Sequence, residues 1–250
     1  MLLTNKRVLI SGGTKGIGAA IAIDLAQQGC DVAINGRNDD ASAVEVEQEV
    51  AKTGRKCVKI IADVARPADC ERTIRETVEN LGGLDVLIHS AGGSSFGTIE
   101  ACPPEQWMNT FDVHVHAAYH LCRGALPHIR KAGEGAIILI SSVAGIRGVP
   151  THLAYATVKG AILQFTRSLA RDVADDNIRV NCVVPGIIRT RFHEAMTPEA
   201  KAHNLAARIP LHREGTPEQV AEAVRALVTN DFITGETLVV DGGTSMQVCR

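Results

Sequence analysis

The sequence predicts an α/β fold: one doubly wound, parallel, seven-stranded sheet with helices on both faces. Three observations carry this. Short apolar runs alternate with longer helical patterns, the rhythm of strand–helix units joined by crossovers. The apolar runs, such as AIILIS and IRVNCVV, are continuous, as expected of strands buried on both faces. A glycine-rich turn, SGGTKGIG, lies where the first apolar run gives way to the first helical pattern.

The elements follow in order. RVLIS (residues 7–11) is the first strand, and residues 16–28 are the first helix, with Ile17, Ile21 and Leu25 four apart on one face. DVAIN (31–35) is the second strand, followed by a polar helix over 39–53 that Gly54 ends. CVKII (57–61) is the third strand, and proline at the first turn opens a helix over 67–81. DVLIHS (85–90) is the fourth strand, and one long helix covers much of 104–131. AIILIS (136–141), a helix over 152–174, IRVNCVV (178–184), a helix over 216–229 and TLVVD (237–241) complete the series. Residues 189–211 interrupt this rhythm. They are expected to form a helical insertion, and insertions of this kind often cover sites. No linker-like stretch rich in Pro, Gly or Ser is present, so residues 1–250 are expected to form one domain.

Composition narrows the function classes. Hydrophobic residues make 45% and charged residues 22%, a soluble globular balance. The net charge is −2 and aromatics are 3%, which argues against a nucleic-acid partner. No apolar run approaches the roughly 18 residues of a membrane helix, so no membrane partner is expected. The opening MLLTNKRVLISGG lacks the apolar core and cleavage site of a signal peptide. Cys30, Cys57, Cys70, Cys102, Cys122, Cys182 and Cys249 are scattered, odd in number and without a C-x-x-C pair. They are expected to be reduced thiols of a cytoplasmic protein.

In the glycine turn, Gly12, Gly16 and Gly18 allow a tight bend and close approach of a ligand to the backbone. The N–H groups at the helix start attract a pyrophosphate. The competing reading is a glycine-rich turn without a ligand. This spacing resembles the cofactor turn of the short-chain dehydrogenase/reductase family, with Ser11 where the family usually has Thr. The resemblance continues in order to the end of the chain. Asp63 in ADV matches the family aspartate that contacts adenine. HSAG, with His89, Ser90, Ala91 and Gly92, resembles the family's N-N-A-G. Ser142 lies thirteen residues before Tyr155, and YATVK supplies Tyr155 and Lys159 as Y-x-x-x-K. PGIIRT, residues 185–190, matches the segment that holds the nicotinamide carboxamide. TGETLVVDGG resembles the family's C-terminal strand. The resemblance implies a Rossmann-type fold and a homotetramer or homodimer. It implies a cofactor site made by Gly12, Thr14, Lys15, Gly16, Ile17, Gly18, Arg37, Asp63, Val64, Ser90, Ala91 and Gly92. Tyr155, Lys159, Pro185, Gly186, Ile188 and Thr190 complete that site.

Tyr155 and Lys159 sit at i and i+4 and share a helix face. A lysine cation beside a tyrosine favours the phenolate, so a lowered Tyr155 pKa is expected. Such a tyrosine can give or take a proton at a carbonyl or alcohol. Ser142 is expected at the carboxyl end of the fifth strand, with a hydroxyl able to polarise the substrate oxygen. The resemblance assigns the same roles, with Lys159 also binding the nicotinamide ribose.

Cofactor choice rests on the end of the second strand, where an acid binds the ribose 2′-OH of NAD. Here that place reads INGR, with Gly36 and then Arg37. Lys15 and Arg37 suit a 2′-phosphate, so NADP(H) is expected to be preferred, with NAD(H) possible. The alternative is that both cations are solvated surface charges. Asp39 and Asp40 lie close by, in a segment that also makes a good helix cap.

The stretch FDVHVHAAYHL contains His114, His116 and His120. Aligned by Trp107, His114 occupies the place of a family asparagine that helps hold a water behind the catalytic lysine. The resemblance makes the backbone carbonyl the main contact there, which a histidine still offers, and an imidazole also passes protons near neutral pH. Three readings stand: His114 replaces the asparagine in a working site; it is a core histidine without a role; or the three histidines bind a metal, for which the spacing of His114 and His116 is poor. No metal is expected. His89 is read as structural and near the cofactor. His152 lines a substrate pocket or simply starts a helix.

Ser142, Tyr155, Lys159 and His114 are therefore the candidate catalytic residues. The expected activity is reduction of a small-molecule carbonyl, or oxidation of the secondary alcohol, with flavours resembling 3-oxoacyl-carrier-protein reductases and sugar or polyol dehydrogenases. The competing class is an NADP(H)-binding regulatory or scaffold protein that has lost turnover, motivated by His114 and His89. Residues 93–99, 145–152 and the insertion, including Phe96, Ile146, Phe192, His193 and Met196, are expected to set substrate choice.

Overall fold

The computed structural model describes residues 1–190 and 196–246. Seven strands form one parallel sheet: β1 (Arg7–Ser11), β2 (Asp31–Gly36), β3 (Cys57–Ile61), β4 (Val86–His89), β5 (Gly135–Ile140), β6 (Ile178–Pro185) and β7 (Thr237–Val240). Their order across the sheet is β3-β2-β1-β4-β5-β6-β7. The register runs without slippage, with Ser11 opposite Asn35 on one side and His89 on the other.

The strands alternate their side chains between two apolar layers, because successive residues point to opposite faces. Leu9, Leu87 and Ile137 point to one face. There they meet Ile74 of α3 (Pro67–Leu81), Leu121 and Ile129 of α5 (Ala117–Ala132) and Ile162 of α6 (Leu153–Val173). Val8, Ile10, Ile34 and Ile138 point the other way. They meet Ile21 and Leu25 of α1 (Gly16–Gln27), Val46 of α2 (Ala41–Ala51) and Val224 of α8 (Pro217–Thr229). β4, the middle strand, and its neighbour β5 are buried along their whole length.

The helix starts follow the expected chemistry. Asp40 caps α2 by accepting from the amides of Ser42 and Ala43. Thr216 and Gln219 form a reciprocal capping box on α8. Pro67 opens α3, and Gly82 in the left-handed conformation closes it.

One element differs from the sequence expectation. The helix expected over 104–131 is broken into α4 (Pro104–Phe111), a π turn (Asp112–His116) and α5. The amide of Ala117 reaches back five residues to the Asp112 carbonyl, which closes the wider turn. One extra residue per turn rotates the following face. His114 is the buried residue of that turn.

Between β6 and α8 the chain forms α7 (Pro198–His203), followed by a π turn over Asn204–Arg208, with turns and coil on either side. Its neck is closed by a bridge between Ile188 and Gly215, with Arg189 N donating to Gly215 O at 2.8 Å. Met196 lies beside Asn204, whose Nδ2 is 3.1 Å from its sulfur. Phe192 and His193 lie outside the described residues, as does Cys249. The other six cysteines are free thiols. Burial pushes those of Cys30, Cys57, Cys70 and Cys122 up to about 12 and that of Cys182 up to about 11.

Candidate active site

Because all the strands are parallel, their carboxyl ends share one edge of the sheet. The chain runs outward from β1 to β2 and β3, then crosses back to β4 on the other side of β1. The loops after β1 and β4 therefore diverge and leave a crevice, the place where such sheets bind ligands.

The glycine turn forms one side of that crevice. Gly12 lies against the backbone of Ala91, and Ser90 N donates to Ser11 O at 3.0 Å, so the turns after β1 and β4 are tied together. Helix α1 begins at Gly16 without a side-chain cap and with no acid in its first turn. Its first amides, at Gly16, Ile17 and Gly18, are thus free of carboxylate competition, which suits a bound anion. Thr14 is buried against Gly36, where an added Cβ would overlap the Thr14 side chain. An acid at the end of β2 is therefore excluded by packing unless Thr14 moves.

The nearby charges are already sorted. Asp39 pairs with Lys59 at 2.7 Å, and Asp40 caps α2. Lys15 approaches Asp40 only to 4.0 Å, and its side chain is mostly exposed. Arg37 is exposed. Asp63, past the end of β3, closes a turn by accepting from Ala65 N at 3.1 Å, and Val64 is buried beside it. On the β6 side, Pro185 ends the strand and Gly186 N donates to Val240 O at 2.9 Å. Ile188 is buried, and Thr190 comes back over the glycine turn, its methyl 3.6 Å from where a Gly16 Cβ would stand.

Beyond the crevice, Ser142, Tyr155 and Lys159 converge. Ser142 follows β5 and caps the short 3-10 turn Val143–Gly145 by accepting from Ala144 N at 3.2 Å. That bond uses an acceptor lone pair and leaves the Ser142 proton to be donated. Tyr155 is in the first turn of α6, near enough to Ser142 for the serine hydroxyl to favour its phenolate. Lys159 is buried one turn further on, its Nζ 5.6 Å from the centre of the Tyr155 ring. The Lys159 ammonium donates to Ile140 O at 2.8 Å, and its backbone carbonyl accepts from Ser141 Oγ at 2.7 Å.

The electrostatics correct the expectation for Tyr155. Burial raises the Tyr155 pKa above its ordinary 10.0, and the Ser142 hydroxyl only partly offsets it. The lowering expected from Lys159 is absent, because desolvation of a phenolate outweighs a cation that lies over the ring and bonds elsewhere. Burial also brings Lys159 down to about 8.

His114 is buried, its Nε2 donates to Gly93 O at 3.1 Å, and its ring meets Tyr155 edge-on with centroids 5.8 Å apart. Burial, then the Lys159 charge, holds its pKa well below 6.5. It is a neutral donor, not the imidazole poised near neutrality that the sequence suggests. His116 instead points outward to Asp112 at 2.8 Å, and His120 stacks edge-on with Tyr119. The three side chains do not converge, and no metal-holding group of three His, Cys, Asp or Glu occurs among the described residues.

Sequence reasoning missed the backbone acceptors that hold this site, Ile140 O and Gly93 O, since a carbonyl carries no residue signature. It also missed that His152, edge-on to Tyr155 at 6.4 Å, stacks against Phe96 at 4.6 Å. That contact is set by a bridge between Gly97 and His152.

The sheet order and the glycine turn at its switch point define a Rossmann-type dinucleotide fold. The family model described as "Enoyl-(Acyl carrier protein) reductase" matches residues 12–245. The 3-oxoacyl-[acyl-carrier-protein] reductase FabG of Chlamydia muridarum is 34% identical, covering 97% of this chain and 98% of that protein. Dehydrogenase/reductase SDR family member 4 of Bos taurus is 37% identical, covering 97% and 88%. A short-chain dehydrogenase from Burkholderia cenocepacia J2315, solved in complex with NADP, superposes with a TM-score of 0.91 at 32% identity, covering 98% of this chain and 99% of that one. The chain belongs to the short-chain dehydrogenase/reductase family of NAD(P)-dependent oxidoreductases.

Proposed function

We propose that this chain is an NADP(H)-dependent oxidoreductase that reduces a small-molecule carbonyl, or oxidises the corresponding secondary alcohol, with Tyr155 as general acid/base. The observation that carries the proposal is the meeting of the Ser142 and Tyr155 hydroxyls beside Lys159, at the edge where the glycine turn opens.

The residues present fit a dinucleotide. The uncapped start of α1 suits the pyrophosphate, with Gly12, Thr14, Gly16, Ile17 and Gly18 around it. Asp63 and Val64 lie where the adenine would rest, and Ser90, Ala91 and Gly92 line the path from there. Pro185, Gly186, Ile188 and Thr190 would hold the carboxamide, and Lys159 the ribose. The nicotinamide, when bound, supplies the hydride. Ser142 donates its hydroxyl proton to the substrate oxygen as negative charge grows there. Tyr155 delivers its phenolic proton to the same oxygen, and its raised pKa keeps that proton in place at neutral pH. His114 packs behind the phenol as a neutral ring.

NADP(H) is favoured over NAD(H) because Lys15, in the glycine turn, and Arg37, just past β2, supply cations there while packing leaves no room for an acid at Gly36. Asp39 and Asp40, the only acids close by in sequence, are engaged with Lys59 and the α2 amides. The Burkholderia relative solved with NADP supports the same choice. We further propose one domain over residues 1–250, with the 189–211 insertion over the substrate, acting as a cytoplasmic homotetramer or homodimer. Exposed Phe232 and Tyr119 support the assembly. The test is NADPH oxidation against activated ketones, diketones and 3-oxoacyl thioesters, with Tyr155→Phe alongside. Turnover lost in that variant supports the enzyme reading; tight NADPH binding with no turnover of any carbonyl favours the regulatory reading.

A further inference from the structure

We propose that His89 is a positioning residue that sets the face of Tyr155 through the backbone of His114. The inference rests on the reading of Tyr155 as the acid/base.

The three places where this chain departs from its family's usual residues are Ser11, His89 and His114, and in space they form one chain of contacts. Ser11 Oγ and His89 Nδ1 are 2.7 Å apart, and His89 Nε2 lies 3.1 Å from the His114 carbonyl oxygen. A carbonyl only accepts, so His89 carries its proton on Nε2, and Nδ1 accepts from the Ser11 hydroxyl. All three residues are almost fully buried, on β1, on β4 and in the π turn. A side chain from the sheet thus anchors the backbone of a wide helical turn that its own ladder holds less regularly.

The His114 ring is then confined on three sides. Its Nε2 donates to Gly93 O. Its edge meets the Tyr155 ring. Its flank lies on the backbone of Gly92, where φ is +141° and any Cβ would overlap the imidazole. Moving the His114 carbonyl therefore moves the ring that Tyr155 packs against. Lys159, on α6, is the charged group that reaches both imidazoles, and both stay neutral beside it.

The test separates the two bonds of His89. Asparagine places a polar atom near Nδ1 but cannot reach the His114 carbonyl. Glutamine places its amide near Nε2 and restores that donor while giving up the Ser11 contact. In His89→Asn, kcat is expected to fall by roughly tenfold or more with NADPH affinity kept, and the Tyr155 limb of the pH profile to move. His89→Gln is expected to rescue kcat to within about threefold of the native protein. Nitrogen-15 NMR of the histidine rings in the cofactor-free protein gives a second readout. The His114 resonances shift in His89→Asn and return in His89→Gln, assigned with His114→Asn. An Asn variant with native kcat and unmoved His114 resonances overturns the proposal. So does a Gln variant as impaired as the Asn one. Failure of the underlying reading looks different: the native protein turns over no carbonyl, while the His114 resonances still follow the donor at position 89.

Discussion

Two walls meet at Tyr155, one that includes it and one whose His114 ring lies edge-on to it, and they are built in opposite ways. The wall after β5 uses residues that the family pattern announces, Ser142, Tyr155 and Lys159, and fastens them to backbone atoms nearby in the fold, Ala144 N and Ile140 O. The wall after β4 uses residues that break the pattern, and fastens them to one another across long stretches of chain. Ser11 and His89 are 78 residues apart, and His89 and His114 are 25 apart. In the proposed mechanism the first wall offers protons to a substrate. The second offers none at neutral pH, since burial holds His89 at about 4 and His114 lower than its ordinary value. A site can thus keep its chemistry on one wall while the other is rebuilt as scaffold.

The largest effect should come from the first wall. Tyr155→Phe removes the proton donor and should cut turnover by about 10²- to 10⁴-fold, with NADPH binding retained in a fluorescence titration. Native-like turnover in that variant would move the chemistry elsewhere and dissolve the contrast.

The second wall should declare itself in stability. Well above pH 6.5 both histidines are neutral, folded or unfolded. Below 6.5 the unfolded chain takes up protons that the buried rings refuse, since His89 is held at about 4 and His114 is also lowered. Stability attached to these rings is therefore complete well above pH 6.5 and lost as the pH falls. Each ring should steepen the loss by about 1.4 kcal/mol per pH unit. Urea melts between pH 6.5 and 5 should show this slope, and His89→Gln should make it shallower. A flat profile in the native protein would mean that the rings are accessible to protons.

A smaller effect is expected away from both walls, at the end of β2. Lys15→Ala and Arg37→Ala should each weaken NADPH by roughly tenfold and leave NADH almost unchanged, the loss of one charge-assisted contact. Equal losses for both cofactors would show that these cations do not read the 2′-phosphate.

Much of this was legible in the residues. The continuous apolar runs placed the seven strands to within a residue or two, because strands buried on both faces cannot hide that pattern. Gly12, Gly16 and Gly18 located the crevice, and the spacing of Tyr155 and Lys159 placed them on one helix face. The π turn was not legible, since the apolar periodicity of residues 104–131 reads as one helix and an extra residue in one turn leaves no composition signal. The direction of the Tyr155 shift was not legible either. Spacing reports that a cation is near, whereas desolvation depends on everything that packs around the ring. His89 and His114 appeared as two separate oddities in the sequence, and only the parallel register that sets β4 beside β1 shows them as one unit.

The most direct test of the two-wall account is a double-mutant cycle on kcat/KM with His114→Asn and Tyr155→Phe. If the histidine wall acts through the tyrosine, His114→Asn lowers kcat/KM in the native protein and changes nothing in the Tyr155→Phe background. The same factor lost in both backgrounds would show that the walls act independently, and would contradict the account.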